Sequence, residues 1–148
     1  MNLLDPIRKR HRQDLEILDR LDDYLRESVE ICSHLDIRDF SREDLREIGA
    51  LTDRFQRAQD FFVSQTLRSI DLLSGDQGTT LDILQRSEQR GIIDSAENFL
   101  EMRALRNKIA HEYAGYGPSD IVQDILRFAP ELLASFSRAR EYKLLSEP

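Results

Sequence analysis

Apolar side chains recur at three- and four-residue spacing along most of the chain. Between residues 6 and about 32 this repeat predicts one long amphipathic helix. On the opposite face, Glu16 stands four residues before Arg20 and Asp22 four residues before Arg26, the order of charges that favours a helix. The apolar positions are Ile7, Leu15, Leu18, Leu21, Tyr24, Leu25, Val29 and Cys32.

A second long helix is predicted after the pattern breaks at residues 34–40. Ser41 supplies a capping oxygen, and acidic residues follow in the first turn, as is typical of a helix start. We expect a rod of about 50 Å that ends at Leu73, before the glycine-containing segment 74–78. Its apolar positions are Leu45, Ile48, Leu51, Phe55, Ala58, Phe62, Leu67, Ile70 and Leu73.

Shorter helices are predicted in the second half of the chain. Thr79 or Thr80 is placed to cap a helix over residues 81–89, and Gly91 is a typical C-terminal glycine. Asp94 and Glu97 have the spacing of a capping box, with Asp94 as the cap of a helix over about residues 95–113.

The last predicted helix begins after the glycine-rich segment 115–117. Ser119 is expected to cap it, and its apolar residues continue to Phe136. Pro130 should kink or restart this helix, because proline lacks a backbone donor.

These elements predict a single all-α domain over residues 1–148. No segment alternates with period two, so the expected architecture is an antiparallel bundle of four to five helices. With 148 residues, 40% of them hydrophobic, the chain suits one core. The C-terminal tail, about residues 144–148, is expected to be frayed.

Composition limits the compartments and the kinds of site. No apolar run approaches the roughly 18 residues of a membrane span, and the basic run 8–12 near the N-terminus is not that of a signal peptide, so we expect a cytoplasmic protein without a membrane partner. With one cysteine, Cys32, and histidines scattered at 11, 34 and 111, neither a disulfide, a metal cluster nor a cofactor is expected.

The charge balance restricts how nucleic acid would be bound. A net charge of −7 disfavours binding by bulk electrostatics, so any RNA contact must be local. Eighteen of the 21 basic residues are arginine, whose planar fork suits bidentate pairing with phosphate or carboxylate. The basic run 8–12 fits either guidance of RNA or a solvated helix start.

Residues 106–113, with the sequence Arg-Asn-Lys-Ile-Ala-His-Glu-Tyr, concentrate polar chemistry near a helix end. Arg106 and Tyr113 fall on nearly one stripe of the helix, and Asn107 and His111 on an adjacent stripe. Arginine binds phosphate, an asparagine amide orients an imidazole, and histidine titrates near neutrality. These are the parts of metal-free phosphodiester chemistry. His11 and His34 lack a comparable setting.

The same segment resembles the signature of the HEPN superfamily and, more narrowly, the Arg-x4-His-x-Tyr motif of HepT-like toxins. The resemblance implies a metal-independent endoribonuclease that cuts RNA by attack of the 2′-hydroxyl. In that reaction His111 would move the proton, Arg106 would stabilise phosphate charge and Asn107 would orient the groups. The chain departs from the HepT-like pattern after Tyr113, because the first Asp comes only at position 120.

The chemistry and the resemblance both imply partners. Transesterification needs an acid and a base, whereas the motif offers one His per chain. A homodimer with facing motif helices would supply the second, as the family does. The resemblance also implies a nucleotidyltransferase antitoxin of the MntA type that attaches AMP to the matching tyrosine, Tyr113, and thereby adds phosphate charge beside Arg106.

Two other interpretations remain open from the residues alone. Related helical bundles serve as non-catalytic partner or substrate-binding subunits of nucleotidyltransferases. Alternatively the chain is a plain scaffold, in which His111 meets free carbonyls at the helix end and Arg106 pairs on the surface with Glu101 or Glu112.

Overall fold

Every regular element that the computed structural model describes, over residues 2–111 and 115–144, is a helix, which confirms the all-α prediction. The helices are α1 (Asp5–Ser33), α2 (Arg42–Phe61), a π-helical segment (Phe62–Leu67), α3 (Arg68–Leu73), α4 (Thr80–Gln89), α5 (Ala96–His111) and α6 (Pro118–Glu141). Because α2, the π-helical segment and α3 follow one another without a break, the described residues form five rods, as expected.

Helix α1 and the 42–73 rod form an antiparallel pair at the centre of the bundle. Residue numbers rise along one helix as they fall along the other: Cys32 Sγ lies 3.5 Å from the Glu47 carbonyl, and Arg54 donates to Ser28 Oγ at 2.8 Å. The apolar stripes predicted from the sequence meet here, and Leu18, Leu25 and Phe55 are fully or almost fully buried. Burial of these side chains is the main stabilising contribution of the pair.

The π-helical segment was not predicted, and it lies where the remaining helices join the rod. Its first residue, Phe62, is fully buried, with its ring centroid 6.0 Å from that of Phe99 on α5 and 4.9 Å from that of Phe136 on α6. These separations are typical of favourable aromatic pairs. Phe62 therefore anchors both C-terminal helices to the centre of the bundle.

The turn around Gly91 agrees with the prediction. Gly91 has a φ of +75°, and the Ile92 amide donates to the Ser87 carbonyl at 3.0 Å, a bond that closes α4 in a Schellman turn. At the other end of α4, Thr79 is the cap, with a reciprocal bond from its own amide to Asp82.

The predicted cap of α5 is wrong by one residue. Ser95, not Asp94, is the capping residue: its hydroxyl accepts from the Asn98 amide at 3.1 Å, and α5 begins at Ala96. Asp94 instead pairs with Arg138 of α6 at 2.8 Å. The Glu88 carboxylate accepts from the Ala96 amide at 2.9 Å, and this long-range bond fixes the start of the helix at the later position.

The start of α6 also differs from the prediction. Gly117 is the N-cap, Pro118 takes the first helical position, and the Gly117 amide donates to Asp120 at 3.1 Å. Ser119 lies inside the helix, where its oxygen accepts from Gln123. The helix runs through Pro130 without restarting.

Three predictions for α1 need correction. Asp22 is buried rather than solvated, because Arg140 of α6 reaches it at 2.7 Å, while its pair with Arg26 is also formed. No ion pair joins Glu16 to Arg20 among the described residues. Tyr24, predicted on the apolar face, is half-exposed beneath the Arg54 guanidinium.

A buried ion-pair cluster fixes α4 against the end of the rod. Asp71 is almost fully buried and accepts hydrogen bonds from Arg86 and Arg90, both at 2.7 Å, and Arg90 also reaches Asp76. Burial raises the pKa of Asp71, but the bonds from the two guanidinium groups outweigh it, so the pKa lies below its usual value.

The first residue of the predicted frayed tail, Leu144, is buried in the core. Residues 145–148 of that tail lie outside the described residues.

Candidate functional site

Helix α5 carries the 106–111 part of the motif and is held by one face only. Phe99, Met102 and Leu105 are buried, at a spacing of three residues that keeps them against the bundle. The opposite face is exposed and carries Leu100, Ala104, Asn107 and His111, at spacings of four, three and four residues. Two of the predicted catalytic residues, Asn107 and His111, therefore lie on a solvent-facing stripe.

Arg106 lies at the side of α5 that faces α2. Its Nη1 donates to Asp60 Oδ2 at 2.9 Å, across 46 positions of sequence. Arg106 therefore pairs with Asp60. It does not pair with Glu101, one of the two acids that the scaffold interpretation gives as its partner. Since a guanidinium has five N–H donors and this bond uses one of them, the rest of the group is available to a ligand.

A shallow cavity of about 440 Å³ opens between α5 and the end of α2. Arg106 and Asn107 both line it, so the structure brings these two predicted residues to one site. Sequence reasoning missed Arg103, which also lines the cavity. Arg103 makes no ion pair with any residue in the described part of the chain. Its position one turn before Arg106 was the available signal. The lining residues are Asp60, Leu100, Arg103, Ala104, Arg106 and Asn107.

His111 is the last residue of α5 and is exposed. It is not among the residues that line the cavity. It comes five positions after Arg106, which corresponds to a rotation of about 140° around the helix axis. Within one chain the two side chains therefore leave the helix in divergent directions.

Tyr113 and Glu112 lie outside the described residues. The neighbouring tyrosine, Tyr116, donates its hydroxyl to Asp124 at 2.8 Å, and Lys108 Nζ lies 5.7 Å from its ring centroid. Burial raises the pKa of the Tyr116 phenol, and the bond to Asp124 raises it further. Tyr116 is consequently a poor nucleophile. A tyrosine that competed with Tyr113 for AMP would need a nucleophilic hydroxyl.

The other two histidines lie away from this site. His11 is buried on α1, and His34 is exposed and close to Glu30, at 3.1 Å. Within the basic run, Arg8 pairs with Asp5, whereas Arg10 and Arg12 are exposed and have no acidic partner among the described residues.

Within residues 2–111 and 115–144, no three His, Cys, Asp or Glu side chains are grouped as metal ligands would be. Nor does any described helix combine the length and apolar character that crossing a bilayer requires. A scan against protein-family models and a search of curated proteins both find no match for the chain.

Proposed function

We propose that the protein is a metal-independent endoribonuclease toxin whose active site forms between two copies of the chain. Arg106 binds the scissile phosphate and stabilises its charge, Asn107 orients the reacting groups, and His111 transfers the proton. The 2′-hydroxyl gives its proton to an imidazole and attacks the adjacent phosphorus; the bond to the 5′-oxygen breaks, a 2′,3′-cyclic phosphate forms, and the leaving 5′-oxygen takes up a proton.

The observation that carries this proposal is the exposed cavity on α5. It places Arg103, Arg106 and Asn107 around one opening, and Arg103 has no acidic partner in the described part of the chain. In a chain with a net charge of −7, an arginine without a carboxylate partner beside a second arginine supports the proposal of a local anion site. Arginine pairs with phosphate through bidentate hydrogen bonds, which supports a phosphate at this site.

The divergence of Arg106 and His111 supports a dimeric site. The outward stripe of α5 combines Leu100, which is 41% exposed, with the small Ala104, and these side chains suit close packing of two helices around a two-fold axis. A dimer in which the motif ends of two α5 helices face one another would add a second His111 to each Arg106 site. It also supplies the second imidazole that acid–base catalysis requires.

The proposal includes a nucleotidyltransferase antitoxin that attaches AMP to Tyr113. The contacts of Tyr116 support this choice, because its hydroxyl is already bonded to Asp124. The phosphate added with AMP would compete for the Arg106 guanidinium that holds the substrate.

A second candidate function is a non-catalytic partner subunit of a nucleotidyltransferase. The Arg106–Asp60 ion pair favours it, because the Asp60 carboxylate competes with a substrate phosphate for the guanidinium. In that case the motif would bind a partner and cut no RNA.

Expression in a bacterial host separates the two candidates. The native chain should arrest growth, and His111→Ala should not. The control is His34→Ala, which changes an exposed histidine just after the end of α1 and should arrest growth like the native chain. Equal growth with the native chain and with His111→Ala would favour the non-catalytic subunit.

A further inference from the structure

Two further cavities continue from the Arg106 site along the groove between α1 and the 42–73 rod. The first, of about 530 Å³, shares Asp60 with the α5 cavity and extends to Arg10, Ser64 and Gln65. The second, of about 580 Å³, shares Arg10, Ser64 and Gln65 with the first and reaches Arg68. The shared lining residues place the three cavities next to one another along this groove, and Asp14 also lines the middle one.

The far end of this path has the composition of an anion site. The lining of the second cavity contains Arg10 and Arg68 together with neutral or apolar side chains, and it contains no Asp or Glu. Both arginines are exposed, and neither makes an ion pair with a residue that the structure describes. The two arginines thus line one cavity without a carboxylate, although acidic residues outnumber basic ones in the chain, 28 to 21.

The local backbone presents polar side chains to the same groove. Ser64 and Gln65 belong to the π-helical segment, and π-helical turns occur frequently at functional sites. Arg68 follows that segment directly, eight residues after Asp60, which is roughly 12 Å along the helix. The groove therefore extends well beyond the reach of a single phosphate group at Arg106.

We infer that this groove binds the backbone of the single-stranded RNA that continues from the Arg106 site, with Arg10 and Arg68 as its phosphate ligands. The assignment of RNA rests on the proposed function, while the anion site itself rests on the two arginines. Arginine contacts to backbone phosphates hold a strand without reading its bases. The groove would therefore increase the affinity for longer strands, whatever their base sequence.

The test compares the double variant Arg10→Gln/Arg68→Gln with a charge-matched control, Arg12→Gln/Arg20→Gln. Arg12 and Arg20 lie on α1, are exposed and, like the first pair, have no acidic partner among the described residues. The probe is a fluorescein-labelled DNA oligonucleotide of about 12 nucleotides, within the usual range of single-strand binding sites. DNA lacks the 2′-hydroxyl and is not cleaved.

In native protein we expect binding that weakens with salt. Arg10→Gln/Arg68→Gln should bind the oligonucleotide on the order of tenfold more weakly. The slope of log K against log salt should be smaller in magnitude by about 1.4, the value for the loss of two single-strand phosphate contacts. The control should bind within about twofold of the native protein. A labelled dinucleotide, too short to reach from Arg106 to Arg68, should show no difference between the native protein and either variant.

Three results would overturn the inference: no binding of the longer oligonucleotide by native protein, equal losses in the two double variants, or an equal loss for the dinucleotide. His111→Ala keeps this test separate from that of the proposed function. It should retain binding while losing RNA cleavage. Absence of cleavage by the native protein, together with the expected binding losses, would reject the nuclease and retain the groove as a strand-binding site.

Discussion

Arg106 Nη1 lies 2.9 Å from Asp60 Oδ2, so the cation assigned to the substrate phosphate is paired with a carboxylate of another helix. The carboxylate fixes one edge of the guanidinium at the mouth of the cavity. It also competes with phosphate for the same positive charge. Both effects follow from a single exposed contact, whose contribution to stability is small.

Asp60→Asn should therefore tighten RNA binding. Removing a negative charge at this distance in a solvated site corresponds to about 1 kcal/mol, or roughly fivefold in Kd. Fluorescence anisotropy with a labelled, uncleavable oligonucleotide measures this change. Asp36→Asn, which removes the same charge from an exposed pair with Arg38 in the loop after α1, is the control and should have no effect. Weaker binding by Asp60→Asn would show that the carboxylate only positions Arg106.

The dimer prediction concerns the exposed stripe of α5. Leu100→Lys places like charges near one another across a two-fold interface, a juxtaposition that costs several kcal/mol. We expect it to convert the dimer to a folded monomer and to abolish RNA cleavage. Leu81→Lys on α4 is the matched control, because Leu81 is 45% exposed and Leu100 is 41% exposed. Light scattering that finds the same mass for the native chain and Leu100→Lys would contradict this interface.

The buried Asp71 cluster predicts a pH-dependent loss of stability. Asp71→Asn removes the buried carboxylate that Arg86 and Arg90 share, and the loss of its charge-assisted hydrogen bonds costs about 1.5–3 kcal/mol at neutral pH. Because the pKa of Asp71 is lowered on folding, its contribution is complete above the unfolded value of about 3.9 and is lost as the pH falls below that value.

Urea unfolding at pH 7 and near pH 3 measures this effect. The difference between native protein and Asp71→Asn should shrink at the lower pH. Asp94→Asn, which breaks the more exposed pair with Arg138, should cost less than about 1 kcal/mol at pH 7. A difference for Asp71→Asn that is unchanged near pH 3 would disprove the titration argument.

The modification prediction distinguishes two tyrosines three residues apart. With a nucleotidyltransferase partner and ATP, the native protein and Tyr116→Phe should gain the mass of AMP, and Tyr113→Phe should not. The reason is that the Tyr116 hydroxyl is bonded to Asp124 and its pKa is raised. Peptide mass mapping locates the adduct. Its appearance on Tyr116 in the native protein would reverse the assignment.

The sequence was sufficient for the helices and most of their boundaries, because these depend on local periodicity and turn chemistry. It placed the cap of α5 on Asp94 since Glu97 completes the box, whereas the contact of Glu88 with the Ala96 amide comes from another helix. The π-helical segment has no local signal of this kind. It is buried where Phe62 meets Phe99 and Phe136.

The candidate site was predictable only in part for the same reason. Arg106, Asn107 and His111 are neighbours in sequence, so their proximity on one helix could be foreseen. Asp60, 46 positions before Arg106, enters only when α2 packs beside α5. Arg10 and Arg68 likewise line one cavity only because α1 runs antiparallel to the 42–73 rod.

The central claim is that His111 and Arg106 cleave RNA without a metal ion, and cleavage of labelled RNA in excess EDTA tests it most directly. The native protein should cut and leave cyclic phosphate ends. His111→Ala should be slower by about two orders of magnitude or more, the usual effect of removing a general acid or base, and Arg106→Ala should be comparably impaired. Cleavage that needs added magnesium, or that persists in both variants, would contradict the account.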